Sequence, residues 1–293
     1  MSGRPIAEGD LEAVVALIVV DEEHLQGRPS QVTAGDVREW MRGVELERDS
    51  WLFEDGDGIT GAGWSNVHGE LGFGVGIVHP RAKGRGLGTD LLHRSEANVR
   101  ERGAPRIHQF TIGADTTARE LMLAHGYREV RRFYEMAIHL ETRPQVPEVA
   151  VETLREEEAR AFHEALDEAF QDHWEHHSLS FEAWWERHSS NPGLDLSLWF
   201  LIRDGADVVA VARNEANRNG GGYVGALGVR RAWRGRGYAR ALLMHTFGEF
   251  YDRGMPRVTL GVDAESPTGA TKLYESVGME VEQENVVFEK ALT

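Results

Sequence analysis

Val229-Arg-Arg-Ala-Trp-Arg-Gly-Arg-Gly-Tyr-Ala239 is the stretch that decides the fold of this chain. A β-rich segment, residues 223–229, runs into it. A segment with helical apolar spacing, residues 239–253, leaves it, carrying Leu242, Leu243, Thr246, Phe247 and Phe250 on one face. A strand, a glycine-rich turn and a helix in that order leave the first helix amides unpaired and pointing outward, with the positive end of the helix dipole behind them. Small residues at Gly235, Gly237 and Ala239 let a ligand approach the backbone, and Arg234 and Arg236 add formal charge. That combination suits a pyrophosphate. The alternative is a tight turn that needs glycine for its own geometry. The longer glycine spacing and Lys-Ser or Lys-Thr of a Walker loop are absent, and Gly84-Arg-Gly-Leu-Gly88 lacks the Gly-x-Gly-x-x-Gly spacing of a dinucleotide fold.

The same stretch occurs earlier as Val78-His-Pro-Arg-Ala-Lys-Gly-Arg-Gly-Leu-Gly88. Arg102-Gly-Ala-Pro-Arg-Ile107 matches Arg253-Gly-Met-Pro-Arg-Val258, and Ala118-Arg-Glu-Leu-Met-Leu-Ala-His-Gly-Tyr127 matches Ala270-Thr-Lys-Leu-Tyr-Glu-Ser-Val-Gly-Met279. The offset is 151 residues at the first motif (229 − 78) and 152 at the last (270 − 118). A period this long is a duplicated domain rather than a solenoid repeat. Thr142-Arg-Pro-Gln-Val-Pro-Glu148 reads as an extended linker, which places the domains at 1–147 and 148–293.

Within each half the order of elements is α+β. Residues 36–48 and 152–170 have helical periodicity, and residues 198–202 and 208–212 read as a hairpin around Asp204-Gly-Ala206. Residues 258–262 and 281–288 read as strands. Ser266-Pro267 reads as an N-cap followed by proline at the first turn of a helix over 267–276.

Composition narrows the chemistry. The 293 residues contain no cysteine, which excludes disulfides and thiolate catalysis within the chain. A formal net charge of −16 would repel nucleic acid and anionic membranes, and either serves solubility or favours a cationic substrate. The longest early apolar run, residues 13–20, is too short to span a bilayer and no basic cluster precedes it, so a cytoplasmic location is expected.

Arg234-Gly-Arg-Gly-Tyr-Ala239 resembles the Q/R-x-x-G-x-G/A loop of GNAT acyltransferases, and Lys83-Gly-Arg-Gly-Leu-Gly88 resembles it with lysine in the first place. Ser266-Pro-Thr-Gly-Ala-Thr-Lys-Leu-Tyr-Glu-Ser-Val-Gly-Met279 is similar to the family's N-x-x-A-x-x-L-Y-x-x-x-G-F motif, with Ser266 near the usual Asn and Met279 for the usual Phe. Both halves carry the motifs in the same order, a layout that resembles mycothiol-synthase-like and other paired members. No motif identifies a sugar-containing substrate. The resemblance implies two tandem domains, each a bent, mostly antiparallel mixed sheet with helices on both faces, whose two central strands splay around acyl-CoA.

The resemblance also implies roles. Arg234, Gly235, Arg236, Gly237, Tyr238, Ala239 and Ser266 would hold acetyl-CoA, with Leu227, Gly228 and Val229 along its pantetheine and carbonyl. Val78, Lys83, Gly84, Arg85, Gly86 and Gly88 are their counterparts in the first half. A neutral amine attacks the thioester, and Tyr274 stands where the family places a general acid for the leaving thiolate; the alternative is a ring that only packs. Met122 holds the matching place and cannot donate a proton, so the second half is expected to be catalytic and the first degenerate. No general base is visible. Asp263 and Glu265 are candidates, with a capping or solvated residue as the alternative. His173, Glu175, His176 and His177 have short metal-like spacing, but the chemistry needs no metal and none is expected. Trp174, Glu175, His176, Phe181, Trp184 and Trp185 lie where the family lines its acceptor pocket, with packing of the aromatics as the alternative. The expected reaction is acetyl transfer from acetyl-CoA to the primary amine of a small molecule. An acetyl-CoA-binding sensor without turnover and a protein N-acetyltransferase are the competing readings. Many members of the family form dimers, so a homodimer is the assembly the resemblance brings with it.

Overall fold

The computed structural model describes residues 3–145, 147–191 and 193–292, so Val146 of the proline linker lies outside the described residues. In chain order the elements are α1 (Leu11–Gln26), α2 (Ala34–Trp40), α3 (Leu46–Asp49), β1 (Ser50–Asp55), β2 (Gly58–His68), β3 (Leu71–Val78), α4 (Leu87–Glu101), β4 (Arg106–Ile112), α5 (Thr116–Ala124) and β5 (Arg128–His139). There follow β6 (Glu152–Thr153), α6 (Ala159–Phe170), α7 (Phe181–Ser189), β7 (Trp199–Asp204), β8 (Asp207–Arg218), β9 (Gly221–Val229), α8 (Tyr238–Asp252), β10 (Arg257–Asp263), α9 (Ala270–Ser276) and β11 (Glu280–Ala291).

Two compact units form, and they do not follow one cut in the sequence. The first comprises Met1–Phe133 with Gln283–Thr293, and the second Tyr134–Glu282. The division therefore passes through β5 and β11, while the expectation from the proline linker was a single join near residue 147. Each half gives up its last strand. In the first unit β1, β2 and β3 are antiparallel neighbours, β3 and β4 are parallel, and the C-terminal β11 lies antiparallel to β4. In the second unit β6 to β9 are antiparallel, β9 and β10 are parallel, and β5 lies on the far side of β10.

Helices cover both faces in each unit, as an α+β sheet with apolar side chains on both faces requires. In the first, α1 and α2 bury Val14, Leu17 and Val37 on Leu52, Ala62 and Trp64, while α4 and α5 bury Leu92, Val99 and Met122 on Ile107, Val286 and Phe288. In the second, Leu242, Leu243, Phe247 and Phe250 of α8 are all within 1% of full burial. Trp184 of α7 packs with Phe162 and Trp199 in the same core. Each fully buried side chain of this size contributes roughly 1.5–3 kcal/mol.

Three local expectations change. The helix expected over 36–48 breaks into α2 and α3, because Gly43 takes φ +80 between them; Asp36 instead closes the capping box of α2 with Thr33. The helix expected from 152 starts at Ala159, because Glu152–Thr153 pairs as an edge strand with β7. Ser266 does not cap α9. Its hydroxyl lies 2.9 Å from Thr268 Oγ1, and α9 begins after Gly269 at φ +69, with no side-chain cap. Among the described residues, no helix is long and apolar enough to cross a membrane.

Candidate active site

In the second unit the parallel pair at the centre of the sheet comes apart. β9 and β10 are joined only through Gly222↔Val258, Tyr223↔Thr259 and Val224↔Leu260. Beyond Val224, β9 continues to Val229 beside β8, and beyond Leu260, β10 continues to Asp263. Backbone groups on the vacated edge lose their ladder partners. Arg230 N donates to Val209 O of β8 at 2.9 Å. Backbone groups alternate sides along a strand, so the N–H groups of Leu227 and Val229 turn away from β8, into the opening.

The opening begins at a bulge. Opposite the step from Arg213 to Asn214, β9 presents Ala226 and Val224, which leaves Gly225 as an extra residue. Its effect is visible in the glycines on either side. A Cβ at Gly222 would meet the Phe250 ring of α8 at 2.5 Å, and one at Gly228 would meet Ala169 Cβ of α6 at 2.8 Å. Residues an even number apart share a face in a regular strand; here they face opposite helices.

The turn after β9 is built as its sequence suggests. Gly235 and Gly237 take φ +78 and +82, left-handed values that a side chain would oppose, and Gly237 is the N-cap of α8 with no side chain on its amides. Gly235, Arg236 and Gly237 are exposed. The first intrahelical bond runs from Ala241 N to Gly237 O, so the N–H groups of Tyr238, Ala239 and Arg240 have no helical carbonyl to donate to. Arg234 points inward. Its Nε donates to Val229 O at 3.3 Å, Nη2 to Ala169 O at 3.1 Å and Nη1 to Asp172 at 3.2 Å. It ties the turn to the end of α6, and its hydrogen bond holds the Asp172 carboxyl below its ordinary range. Arg236 lies 3.5 Å from Asp204 on the surface, a weak pair.

Tyr274 projects from α9 and is 8% exposed. Burial, with the nearby Tyr223 phenol, pushes it up to about 12, and no hydrogen bond among the described residues contributes. Asp263 is buried, and its Oδ1 accepts from Glu265 N at 2.9 Å, a turn contact in the loop before α9. The histidine-rich loop is divided among separate tasks. His176 Nε2 meets Asp167 at 3.2 Å, whereas His173 stacks on Phe170 at 4.2 Å and is lowered by burial. Trp184 is core, and Phe181 and Trp185 pack against it.

Sequence reasoning passed over Arg213, Glu215, Arg218 and Tyr223. Arg213 Nη1 donates to Glu215 Oε1 at 2.6 Å, and its Nη2 donates to Gly225 O at 3.3 Å. Arg218 Nη1 donates to Glu215 Oε2 at 3.0 Å, and its guanidinium lies 4.0 Å over the Tyr223 ring. Burial alone would raise the Glu215 carboxyl, but Arg213 and Arg218 outweigh it and hold it below its ordinary value. The available signal was the pairing of Glu215 with Tyr223 across two strands, which a sequence shows only once register is known.

The first unit has the opening without the rest. β3 and β4 are joined from Leu71↔Arg106 to Gly74↔Gln109 and then part. Gly84 and Gly86 take φ +78 and +85 before α4, and Gly84, Arg85 and Gly86 are exposed. Val78 has the place of Val229, and a Cβ on Gly88 would lie 4.0 Å from it. Lys83 is bound between Asp21 at 2.9 Å and Asp115 at 3.0 Å, and Asp115 caps α5 through Ala118 N. The first half thus has the side-chain cap that the second lacks. The β2–β3 ladder, however, runs from Gly61↔Val78 to His68↔Leu71 with no shift, so β3 carries no bulge. The register of the repeat agrees. Gly72 faces Val99 as Gly222 faces Phe250, an offset of 150 (222 − 72), which becomes 151 at Val78 and Val229 once Gly225 has been inserted. Met122, in the place of Tyr274, is buried in the core.

A family model described as acetyltransferase (GNAT) family matches residues 156–279, and one described as acetyltransferase (GNAT) domain matches residues 20–138. The mycothiol acetyltransferase of Thermobispora bispora is 32% identical over 288 residues, 92% of this chain and 92% of that one. The chain belongs to the GNAT acetyltransferase family. A GCN5-related N-acetyltransferase from Sphaerobacter thermophilus shares its fold at a TM-score of 0.88 and 33% identity, over 99% of this chain and 95% of that one. A tandem GNAT protein from the clavulanic acid biosynthesis pathway, 13% identical, superposes at 0.74 over 100% and 98% of the two chains, a likeness of fold. The protein is therefore an N-acetyltransferase built from two GNAT domains, and GNAT acetyltransferases in general use acetyl-CoA.

Proposed function

We propose that the second unit binds acetyl-CoA and transfers its acetyl group to a primary amine of a small molecule. One observation carries the reading: splayed strands entered through a bulge, a turn of exposed amides, and a buried phenol with no hydrogen-bond partner among the described residues occur together in that unit, while the first has only the splay and the turn. The amides of Tyr238, Ala239 and Arg240, at the positive end of α8, hold the pyrophosphate. Gly235, Arg236 and Gly237 complete that turn, and Arg234 fixes it to α6. Ser266, on the turn before α9, is assigned to the cofactor by the family resemblance alone. Leu227, Gly228 and Val229 line the pantetheine, and the Leu227 and Val229 amides face the thioester oxygen.

The neutral amine forms a bond from nitrogen to the thioester carbon while the carbonyl electron pair moves to oxygen. As that pair returns, the carbon–sulfur bond breaks, and sulfur takes the proton of Tyr274, which recovers one released by the amine nitrogen. A phenol raised to about 12 stays protonated at neutral pH and is available to do this. In the first unit, Lys83 engaged with Asp21 and Asp115, a regular β3 and Met122 all favour a domain without turnover.

Calorimetric titration of acetyl-CoA into the protein and into Gly237→Trp tests this reading. Gly237 is chosen because it is exposed with open space at its Cβ, unlike Arg234; its φ of +82 strains any side chain, so a melting curve of the variant accompanies the titration. One site, lost in the variant, is the expected result. A site that survives in the variant would move the cofactor to the first unit's loop, and no binding to the parent would overturn the reading.

A further inference from the structure

Arg213 sits where the ladder between β8 and β9 slips by one residue. One guanidinium nitrogen donates to the carbonyl of Gly225, the inserted residue, at 3.3 Å, and another pairs with Glu215 at 2.6 Å. Glu215 is held from its other oxygen by Arg218. A Cβ on Gly225 would lie 3.0 Å from both Arg213 Nη2 and Glu215 Oε1, so the pair is packed directly onto the bulged backbone. On the next residue, Asn214 reaches the opposite face, where its amide donates to Leu198 O at 2.7 Å and Thr246 Oγ1 at 3.3 Å. β8 is therefore fixed on both faces at the slip. The first unit supplies the comparison within the same chain. Counted from Gly61↔Val78 against Ala210↔Val229, the places of Arg213 and Glu215 are held by Trp64 and Asn66, and there the ladder is regular.

We propose that Arg213, braced by Glu215, is a positioning residue that holds the Gly225 bulge and thereby aims the Leu227 and Val229 amides at the thioester oxygen. It touches neither substrate. Its role rests on the acetyl-CoA reading above, because the amides matter only if a thioester lies beside them. An extra residue in a strand costs a ladder hydrogen bond, and the Arg213 bond gives the inserted residue's carbonyl a partner. The fork of arginine makes both contacts from one planar group, which lysine cannot do.

The test uses the full chain and acetyl-CoA labelled with 13C at the thioester carbonyl. In the parent, the bound carbonyl resonance should move downfield of free acetyl-CoA, as hydrogen bonds polarise the carbon–oxygen bond. In Arg213→Met most of that displacement should vanish while calorimetric affinity stays within about threefold, because the pyrophosphate turn lies downstream and is untouched. Arg213→Lys should recover only part of the displacement. A loss of packing alone would lower affinity and melting temperature without separating the carbonyl signal from binding. If Arg213→Met fails to fold, Arg213→Lys with Glu215→Gln carries the test. A folded Arg213 variant with the parent's displacement overturns the proposal. Parent protein that does not bind acetyl-CoA overturns the cofactor reading instead, and the two failures are told apart by the first titration.

Discussion

Tyr274→Phe separates catalysis from packing, because the structure predicts opposite answers for the two. The ring is 8% exposed and belongs to the core of the second unit, so phenylalanine keeps its packing. The hydroxyl has no hydrogen-bond partner among the described residues to lose; burial and Tyr223 account for its rise to about 12. Removing an unpartnered hydroxyl costs no hydrogen bond, so stability at neutral pH should change by less than about 0.5 kcal/mol. If the phenol protonates the departing sulfur, kcat should fall about a hundredfold or more, close to 3 kcal/mol in the barrier, with acetyl-CoA affinity unchanged. Thiol release with the primary amine that the parent turns over fastest gives the rate, and calorimetry gives the affinity. The pH dependence adds a second readout. Between the ordinary tyrosine value of about 10 and the folded value of about 12, the unfolded chain has lost a proton that the native state keeps, so stability should fall as pH rises through that window. That alkaline loss should shrink in Tyr274→Phe. A variant that keeps kcat within about threefold of the parent would refute the acid role, whatever its stability.

Two further perturbations follow from buried charge. His188 is held down to about 4 by burial and then by Arg213, while its ring lies 4.7 Å from Trp184 and its Nδ1 meets Trp184 O at 2.7 Å. In the unfolded chain it titrates near 6.5. Below that pH the unfolded state binds a proton the native state refuses, so stability should fall as pH drops from about 6.5 toward 4, and His188→Phe should flatten that limb in thermal melts across the range. On β11, Lys290 Nζ pairs with Glu96 of α4 at 2.8 and 2.9 Å, with side chains 25% and 8% exposed. Lys290→Met leaves that carboxylate unpaired and should cost about 3 kcal/mol in denaturant unfolding, while Glu96→Leu combined with Lys290→Met should recover most of it. A double variant as unstable as the single one would deny the pair any coupling.

What the sequence revealed, and what it hid, divides along physical lines. The duplication, the hairpin of β7 and β8 and the path from β9 through the turn into α8 were legible because each rests on local chemistry: turn residues, apolar spacing and glycines at φ near +80. The strand exchange was not, because β5 and β11 satisfy the same pattern whichever unit they join; what assigns β11 to the first unit is pairing with β4 from Arg106 to Ile112. Ser266 misled because Ser-Pro has the composition of a cap while Gly269, in a left-handed conformation, starts the helix. Arg234 was legible as a charge and illegible as a clamp, since only the fold brings Ala169 O and Asp172 to it.

The bulge is the most instructive of these, because its trace was in the repeat all along. The offset between halves is 151 at the glycine-rich motifs but 150 at Gly72 and Gly222, so a single residue separates a regular strand from a bulged one. A string comparison absorbs one inserted glycine in a run such as Gly221-Gly-Tyr-Val-Gly225 without penalty. In a strand the same insertion reverses every later side chain, because the period is two. The bulge cancels that reversal: Gly228 stays against Ala169 of α6 and the Leu227 and Val229 amides stay on the open edge, the facing that the first unit reaches with a regular strand, where His79 N donates to Thr60 O as Arg230 N donates to Val209 O. Arg213 and Glu215 then have a reason to stand just after a run of small apolar residues, Val208-Val-Ala-Val-Ala212. The two halves differ at Tyr274 and Met122, and they differ again, independently and on another element, at the inserted Gly225. If the first unit has no turnover, as proposed above, drift there would lose both, and it carries neither a tyrosine in that place nor the inserted glycine.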